Sequence, residues 1–483
     1  MTNLKLYLLF LFFAYSIQSL ARGINNPCNF GLYEAKNGIE RYYCILRCHK
    51  DAIEKNALIS YKGIKSIDIE IPKNAEPIPL SNEVDFAGVH LNVLNRQKRI
   101  ALFTRIGKSI PIQVPSKSID NGMFKNDSCL CSGLHMLVIE DGVPWVKKRK
   151  GYDYGATRKD VLVVKNGIAA NRVCSKYDNN TSIPKVYIVE PKNSHIYKNV
   201  VLNRHPESTE ITMLFLLNNV YDITLSNIII NTPQNNKIFG DAAIQIKNSA
   251  LIRVEDVIIN GTYSQNGYGY GINLDNVSFF TAVNIYARAN WGVFGTYNVN
   301  RAFLMDCDIN RFDIHCYGRD VRCYNCKFSD MYNQFSSVFG DVYFEKCIFQ
   351  NCRPVLIESS FNAYTPFELT FKRCIFNLNS KWNCILTLIE LEEAHNSRPE
   401  LSRKSLPNIT IKNCTVNLTD DMKEWYIVNT GKVLYKEPLD YISKIVVKRL
   451  TINGNVDYRL FSTKLETTNP LRHVRKRVRL KKR

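Results

Sequence analysis

One short pattern recurs along the second half of this 483-residue chain, and it restricts the folds that the chain can adopt. From about residue 220, the order apolar, any, apolar, any, any, apolar, any, apolar appears nine times. It reads ITLSNIII, IRVEDVII, FTAVNIYA, AFLMDCDI, VRCYNCKF, VYFEKCIF, LTFKRCIF, ITIKNCTV and IVVKRLTI. Alternation of period two predicts a β-strand, and the 3.6-residue rhythm of a helical repeat is missing. We therefore expect one short strand in each repeat.

The spacing of the repeats predicts how these strands are arranged. The third apolar place of each segment falls at Ile228, Val257, Ile285, Cys307, Cys326, Cys347, Cys374, Cys414 and Leu450, so successive gaps run from 19 to 40 residues. A short strand recurring at such a period is typical of a solenoid, in which each coil stacks on the one before. The widest gap contains the polar stretch 391–406, which we interpret as a surface loop. The sequence thus predicts an all-β solenoid.

Two columns of small polar residues support this arrangement. A second strand in each coil ends in asparagine or aspartate, at Asn219, Asn248, Asn276, Asn298, Asp320 and Asp341. Another column lies three residues after the third apolar place, at Asn231, Asn260, Asn310, Asn377, Asn417 and Asn453. Asparagine tolerates tight turns, and stacked asparagines can bond one another from coil to coil. We expect both columns to form ladders at the turns.

The repeat also explains much of the chain's cysteine. Five of the 15 cysteines share one apolar column: Cys307, Cys326, Cys347, Cys374 and Cys414. Neighbouring strands lie about 4.7–4.9 Å apart, whereas the Cβ atoms of a disulfide lie about 3.8 Å apart. We therefore expect free thiols that fill the core.

Two other groups of cysteines leave alternatives open. Cys323 and Cys326 form a C-x-x-C pair, which in isolation suggests zinc or redox chemistry, but both occupy core places of a strand. We therefore predict no metal site there. The pairs Cys44/Cys48 and Cys129/Cys131, with His49 and His135 nearby, lie outside the repeat and could bridge or bind an ion.

The ends of the chain predict export and four segments. Lys5, the apolar run 6–17 and small residues at Ser19 and Ala21 are typical of a secretory signal peptide. We assign residues 1–21 to the signal, 22–61 to an N-terminal cap, 62–465 to the solenoid and 466–483 to a basic tail, which is either solvated or in contact with an acidic surface. The protein is then secreted, periplasmic or on the cell surface. Nothing later is long and apolar enough to span a membrane, and export disfavours a nucleic-acid role for the net charge of +20.

The stretch RFDIHC, residues 311–316, contains the candidate site. Strand alternation predicts that Arg311, Asp313 and His315 point to solvent. The opposite, core-facing side then carries Phe312, Ile314 and Cys316. Neighbouring coils bring more polar and aromatic residues to the same outer wall, namely Arg288, Trp291, Asp330, Tyr332 and Arg353, and Arg319 follows one position before the turn ladder. The alternative is that Asp313 and His315 simply pair across a solvated strand.

Such a wall has the groups needed to bind or cleave a charged sugar chain. A lyase needs a base for the C5 proton of a uronic acid, here His315 or Tyr332, and a cation beside the carboxylate, here Arg311, Arg319 or Arg353. We assign substrate binding to Arg288, Trp291, Asp330 and Arg353. A hydrolase needs two carboxylates about 5–9.5 Å apart, which Asp313 and Asp330 could supply.

The repeat region resembles the right-handed parallel β-helix superfamily of pectate-lyase-like proteins. Residues 291–321, WGVFGTYNVNRAFLMDCDINRFDIHCYGRDV, also resemble a β-helical segment of uncharacterised exported gut-bacterial proteins and of phage-tail-associated proteins. The resemblance implies a right-handed, single-stranded parallel β-helix with an N-terminal cap, whose relatives mostly cleave or bind polysaccharides.

Known enzyme signatures of that superfamily are nevertheless missing. The only D-D of the polygalacturonase type is Asp420-Asp421, in a turn-like stretch, and neither a G-H-G nor the W-x-D-H of pectate lyases is present. Two functions stay open: a lyase or hydrolase of an anionic polysaccharide, and a non-catalytic glycan-binding or surface-structural protein. A Ca²⁺ requirement is possible without a motif to support it, and the oligomeric state is not predicted.

Overall fold

The repeats form the coils of a right-handed parallel β-helix, as the sequence predicts. The computed structural model describes residues 23–96, 99–146, 156–174, 177, 183–189, 194–210, 212–233, 242–261, 269–288, 291–295, 297–314, 317–335, 338–357, 367–388, 407–429, 444–462 and 472–481. Corresponding strands of successive coils pair in parallel, for example Ile223 with Ile252 and Val257 with Ile285. Each coil therefore buries the inner face of its strands against those of its neighbours.

Three parallel sheets form the wall of the solenoid. Two long strands, Ala242–Asn260 and Tyr270–Ala287, bend through the first, second and third sheets in turn. Before them lie Ile24–Asn25, Leu58–Ser60, Ser66–Glu70, Ile78–Pro79, Glu83–Leu94, Ile100–Ile106, His195–Arg204, Thr212–Asn218 and Tyr221–Asn231.

After them, the three sheets receive separate strands. The first sheet contains Val293–Gly295, Phe312–Ile314, Tyr332–Gln334, Arg353–Ile357, Cys384–Leu388, Glu424–Asn429 and Asp457–Phe461. The second contains Val299–Met305, Gly318–Tyr324, Val338–Glu345, Phe367–Lys372 and Asn408–Lys412. The third contains Asp308–Ile309, Lys327–Ser329, Ile348–Gln350, Ile375–Leu378 and Thr415–Leu418, and Lys444–Asn453 runs through the second and third.

A residue in the left-handed conformation turns the chain from the second sheet to the third in almost every coil. We call this position the αL corner, and its φ lies between 51° and 64°. It is occupied by Asn199, Asn227, Asp256, Asn284, Asp306, Asn325, Lys346, Arg373, Asn413 and Arg449. Asn and Asp tolerate this conformation because their short side chains bond locally. Here they also bond between coils, as Asn227 does to Asn199 at 2.9 Å.

The second predicted asparagine column is confirmed, whereas the first holds only from Asn219 to Asn298, because the register places Asp320 opposite Arg301. In the first, the Asn276 amide donates to the Asn248 side chain at 2.9 Å. In the second, Asn260 donates to Asn231 at 3.0 Å, and Asn453 donates to Asn417 at 2.7 Å. Asn310 departs from its column, because its side chain contacts the sulfur of Met331 at 3.0 Å. Polar ladders thus fix the register at the corners.

The cysteine column lies inside the solenoid as free thiols. All five members are at most 2% exposed, and none forms a disulfide. The Sγ of Cys347, for example, donates to the carbonyl of Cys323 at 3.4 Å. Burial raises the pKa of Cys323 and Cys347 well above the usual value, so these thiols stay protonated. Phenylalanine rings stack beside them, such as Phe344 on Phe371 at 5.2 Å.

A helix at Gly38–Glu54 packs against the first coils. It begins earlier than the helix-capable stretch in the sequence suggests, because the Asn37 side chain caps it by accepting from the Glu40 amide at 2.9 Å. His49, fully buried on its inner face, bonds the Tyr61 hydroxyl at 2.9 Å. A short 3₁₀ helix, Pro27–Phe30, precedes it. The helix covers the apolar end of the solenoid, as a cap must.

Alternating segments between residues 109 and 189 are not coils, contrary to our expectation. They form an antiparallel sheet from Ser109–Ile112, Leu134–Val146, Ala156–Lys165, Ile168–Ala169 and Lys185–Val189, with a helix at Ser116–Asn121. This insert packs on the corner between the first and second sheets, where Asn298 donates to the Asp160 carboxylate at 2.9 Å. Period two predicts strands but not the direction of their partners, which explains the error.

The solenoid also continues beyond residue 465. Arg472–Lys481 pairs in parallel with Lys444–Asn453, so the segment predicted as a basic tail adds a strand. The predicted signal peptide lies outside the described residues. Within those residues, the structure contains no helix with the length and apolar character needed to span a membrane.

Candidate functional site

Rings and guanidinium groups alternate where the third sheet turns into the first. Five residues from four consecutive coils and the next turn form what we call the aromatic–arginine ladder: Trp291, Arg311, Tyr332, Arg353 and Trp382. The Arg311 guanidinium carbon lies 4.2 Å from the centre of the Trp291 ring and 4.1 Å from that of Tyr332. Arg353 is the register partner of Tyr332 and lies 4.5 Å from the Trp382 ring. The structure thus brings together four of the predicted site residues.

Arg311 and Asp313 do not point to solvent, contrary to our prediction. Both side chains are 0% exposed, and they form an ion pair with each other. The second oxygen of Asp313 accepts from the Gln334 amide at 2.8 Å. Alternation predicts exposure only where neighbouring coils leave the outer face open, whereas here the Trp291 and Tyr332 rings cover both faces of the planar guanidinium. The pair belongs to the framework of the wall.

Local sequence explains how Arg311 is placed. Gly292, directly after Trp291, has φ +54° and lies so close to the next coil that a Cβ there would be 2.2 Å from the Arg311 carbonyl oxygen. On the other side, the Asn333 side chain accepts from the Phe312 amide at 2.8 Å and donates to the Pro354 carbonyl at 3.1 Å. Three coils are thereby held together around the guanidinium.

The accessible part of the ladder consists of aromatic rings and one arginine. Trp291, Tyr332, Arg353 and Trp382 are all partly exposed. Partial burial lowers the pKa of Arg353, which nevertheless stays a cation, since arginine is not deprotonated in proteins. Lys381 is exposed, and its ammonium lies 4.8 Å from the Trp382 ring centre. This surface offers flat apolar faces next to fixed positive charge.

Arg288 and Asp330 lie on the adjoining corner of the third sheet. Arg288 makes a two-pronged ion pair with Asp308, one contact measuring 2.6 Å, and this pairing raises the Arg288 pKa. Asp330 is exposed and sits in a turn with φ +67°. Both neighbour the ladder in sequence, but Arg288 is committed to Asp308.

Arg319 does not join this site in the structure. Arg319 lies at the opposite corner, under the insert. Its guanidinium carbon is 5.6 Å from the centre of the Phe339 ring, and its side chain hydrogen-bonds Cys174. The prediction that it lines the same wall is wrong. His315 and Cys316 lie outside the described residues, so their predicted placement stays a prediction.

The predicted hydrolase pair is also not formed as expected. Asp313 is buried against Arg311, whereas Asp330 is exposed on a turn. A general acid and a general base must both reach the glycosidic bond. Asp313 cannot do so from its position in the framework.

Sequence reasoning missed a second surface, on the outer face of the second sheet. Three partly exposed rings follow one another there, tilted by 41° and 46°, with centres 5.3 Å apart for Phe303 and Tyr324 and 5.8 Å apart for Tyr324 and Tyr343. A cleft of about 400 Å³ adjoins Tyr324 and is lined also by Glu345 and Arg373. The sequence contained a signal for this surface, because the three rings occupy outward-facing places of successive repeats.

In the described part of the chain, no three His, Cys, Asp or Glu side chains are placed to hold a metal ion. Cys44 and Cys48 are buried in the capping helix as free thiols, and Cys129 and Cys131 are exposed thiols. The His135 Nε2 bonds the Ser132 carbonyl at 2.6 Å. Neither pair forms the bridge that the sequence left open.

Comparisons with known proteins support the fold. No model of a known protein family matches the chain. No curated protein matches its sequence either. Among solved structures, the tailspike protein gp49 from Pseudomonas phage LKA1 is 13% identical, with a TM-score of 0.53 over 91% of this chain and 83% of that one. The gp54 tailspike of Acinetobacter baumannii bacteriophage AP22, solved with a capsular saccharide, is 12% identical, with a TM-score of 0.47 over 92% and 80%. The likeness to the first structure shows that this chain has the parallel β-helix fold.

Proposed function

We propose that this protein is exported and binds an anionic polysaccharide along the aromatic–arginine ladder. The observation that supports the proposal most is the alternation of partly exposed rings with cations from coil to coil, from Trp291 to Trp382. Aromatic faces bury the apolar faces of sugar rings, while Arg353 and Lys381 attract their carboxylate or sulfate groups. A linear glycan lying along the solenoid axis meets an accessible ring or cation in each coil except that of the buried Arg311.

Should the protein also cleave its ligand, the same geometry favours elimination over hydrolysis. Asp313 is unavailable as half of a carboxylate pair. Tyr332 and its register partner Arg353 instead place a phenol beside a cation on the accessible wall. In that reaction the Tyr332 phenolate takes the C5 proton of a uronate while Arg353 neutralises the adjacent carboxylate. The C4–O bond breaks as the C4–C5 double bond forms, and the proton passes from the Tyr332 hydroxyl to the leaving oxygen, which restores the phenolate.

Binding is tested by titrating the purified chain with polygalacturonate and with its carboxyl-reduced, neutral form. Trp382→Ala and Arg353→Gln are expected to weaken binding of the charged polymer. Arg253→Gln is the matched control, because Arg253 is an exposed arginine that pairs with Glu255 on a different wall. Equal affinity of all variants, or equal affinity for both polymers, contradicts the proposal.

Cleavage is tested separately. Ultraviolet absorbance of unsaturated sugar ends detects a lyase, and a reducing-end assay detects a hydrolase. Tyr332→Phe keeps the ring against Arg311 but removes the hydroxyl, so it is expected to abolish elimination and preserve binding. Reducing ends that form without unsaturated ends would exclude the lyase mechanism.

A further inference from the structure

Cations are stacked along the αL corner of the later coils, on a different wall from the ladder. We call this set the basic stripe: Lys346, Lys372, Arg373, Lys412, Lys448 and Arg449. Lys372 is partly exposed, and the other five are exposed. They come from four consecutive coils, and the positions are separated in sequence by up to 40 residues, so only the register brings them together.

The first property of the stripe is that it places like charges directly opposite one another. Lys372 is the register partner of Lys412, which is in turn the partner of Lys448. Like charges at paired positions destabilise a sheet. Glu345 offsets the charge at the start of the row, where Lys372 lies 3.2 Å from it. Lys412 and Lys448 form no ion pair with any described residue, so nothing in the described part of the chain offsets the repulsion between them.

The second property is the backbone conformation at three of its positions. Lys346, Arg373 and Arg449 occupy the αL corner, with φ of 56°, 57° and 55°. In the other coils that position is held by Asn or Asp, the residue types that tolerate it. A lysine or arginine side chain does not stabilise this conformation, and it cannot form the hydrogen bond that links asparagine side chains from coil to coil. Two separate sources of instability therefore coincide on one strip of surface.

The stripe is continuous with the aromatic surface on the second sheet. Tyr324 lines the same cleft as Lys346 and Arg373. Glu345 connects the two parts, because its carboxylate accepts hydrogen bonds from Tyr343 on the aromatic surface and from Arg373 and Lys372 of the stripe. These hydrogen bonds lower the pKa of Glu345 to about 2. From the coil of Phe303 to that of Arg449 the surface spans five coil steps, which corresponds to about 24 Å.

From this coincidence we infer that the stripe is a second ligand site, which takes a linear anionic polysaccharide lying parallel to the solenoid axis. Stacked coils repeat a cation about every 4.8 Å in a straight line, and a chain with a regularly repeated carboxylate or sulfate matches such a row. The phosphates of each strand of duplex DNA rise about 3.4 Å along the helix axis per nucleotide and follow a helical path rather than a straight line. The rings of Phe303, Tyr324 and Tyr343 extend the row with flat faces on which sugar rings can pack.

The inference is tested in a Trp382→Ala/Arg353→Gln background, in which the aromatic–arginine ladder is disabled. The affinity of that protein for polygalacturonate is measured at several salt concentrations, alone and with Lys412→Gln/Lys448→Gln added. We expect the added pair to weaken binding about tenfold at low salt and to reduce its salt dependence. Lys62→Gln/Lys65→Gln, which removes two exposed charges at the capped end of the solenoid, is the matched control. Unchanged affinity overturns the site, and it does so whether or not the ladder binds.

A second readout separates binding from folding. Lys412→Gln and Arg449→Asn are each expected to raise the melting temperature while binding falls, because they remove repulsion and backbone strain. A melting temperature that falls with either change contradicts the argument. A single-stranded oligonucleotide of matched charge is expected to bind at least tenfold more weakly than the polyuronate, and tighter binding of the oligonucleotide would overturn the assignment to a glycan.

Discussion

Removing the negative charge from the buried Arg311–Asp313 pair provides a sharp test of its structural role. In Asp313→Asn the new amide oxygen can still accept from the Gln334 amide, as Asp313 does at 2.8 Å, so the change isolates the charge. Both side chains are 0% exposed. Removing one partner of such a pair leaves an uncompensated buried charge and costs about 3–5 kcal/mol of unfolding free energy.

The double variant Arg311→Met/Asp313→Asn removes the stranded cation and keeps an apolar side chain between the two rings. Lost stacking on Trp291 and Tyr332 costs about 0.5–2 kcal/mol per ring, so the double variant recovers part of the loss. We expect a coupling of at least about 2 kcal/mol between the two changes. Urea unfolding followed by tryptophan fluorescence measures it. A loss under about 1 kcal/mol in Asp313→Asn, or a folded double variant with no glycan binding, would refute the structural role.

Three further predictions concern other parts of the fold. Burial raises the pKa of Asp160 to about 7, so the folded state holds its proton more tightly than the unfolded chain, and stability should fall as pH rises from about 4 to about 7. The urea midpoint of Asp160→Asn should lack that part of the decline. An equal decline in both proteins contradicts the prediction. Gly292→Ala should lower the melting temperature more than Gly88→Ala, because both have positive φ but only the first would place a Cβ within 4 Å of another atom. Among the described thiols, iodoacetamide should label Cys28, Cys129 and Cys131 in the native protein and leave the cysteine column unmodified until urea is added. Mass spectrometry reads the labelling. Labelling of the column in the native protein would show that it is not in the core.

The sequence predicts the solenoid well because its constraints repeat. An apolar place that recurs in nine segments averages out local exceptions, and the asparagine and cysteine columns follow from the same register. Direction of pairing is a different matter. Leu134–Val146 and Ala156–Lys165 alternate as well as any coil does, yet they pair antiparallel to each other, since alternation reports one buried face and not the partner.

The candidate site was predictable in its location but not in its chemistry. Tyr332 and Arg353 share a wall because they are register partners, and Trp291 reaches the same wall from one place earlier in its coil, next to Gly292. Arg311 is buried because the rings of two other coils close over it, and no local pattern around RFDIHC encodes that. The basic stripe was missed for a related reason. Its members look like isolated surface cations until Lys372, Lys412 and Lys448 are aligned by register.

The proposal that glycans bind on the outer walls is tested most directly by lysine acetylation of the whole chain with and without polygalacturonate. We predict that the polymer protects Lys381, beside Trp382, and the stripe residues Lys412 and Lys448, while Lys62 and Lys65, exposed beyond the capping helix, react as before. Equal protection of all five lysines, or protection of none, would contradict a binding surface on these walls.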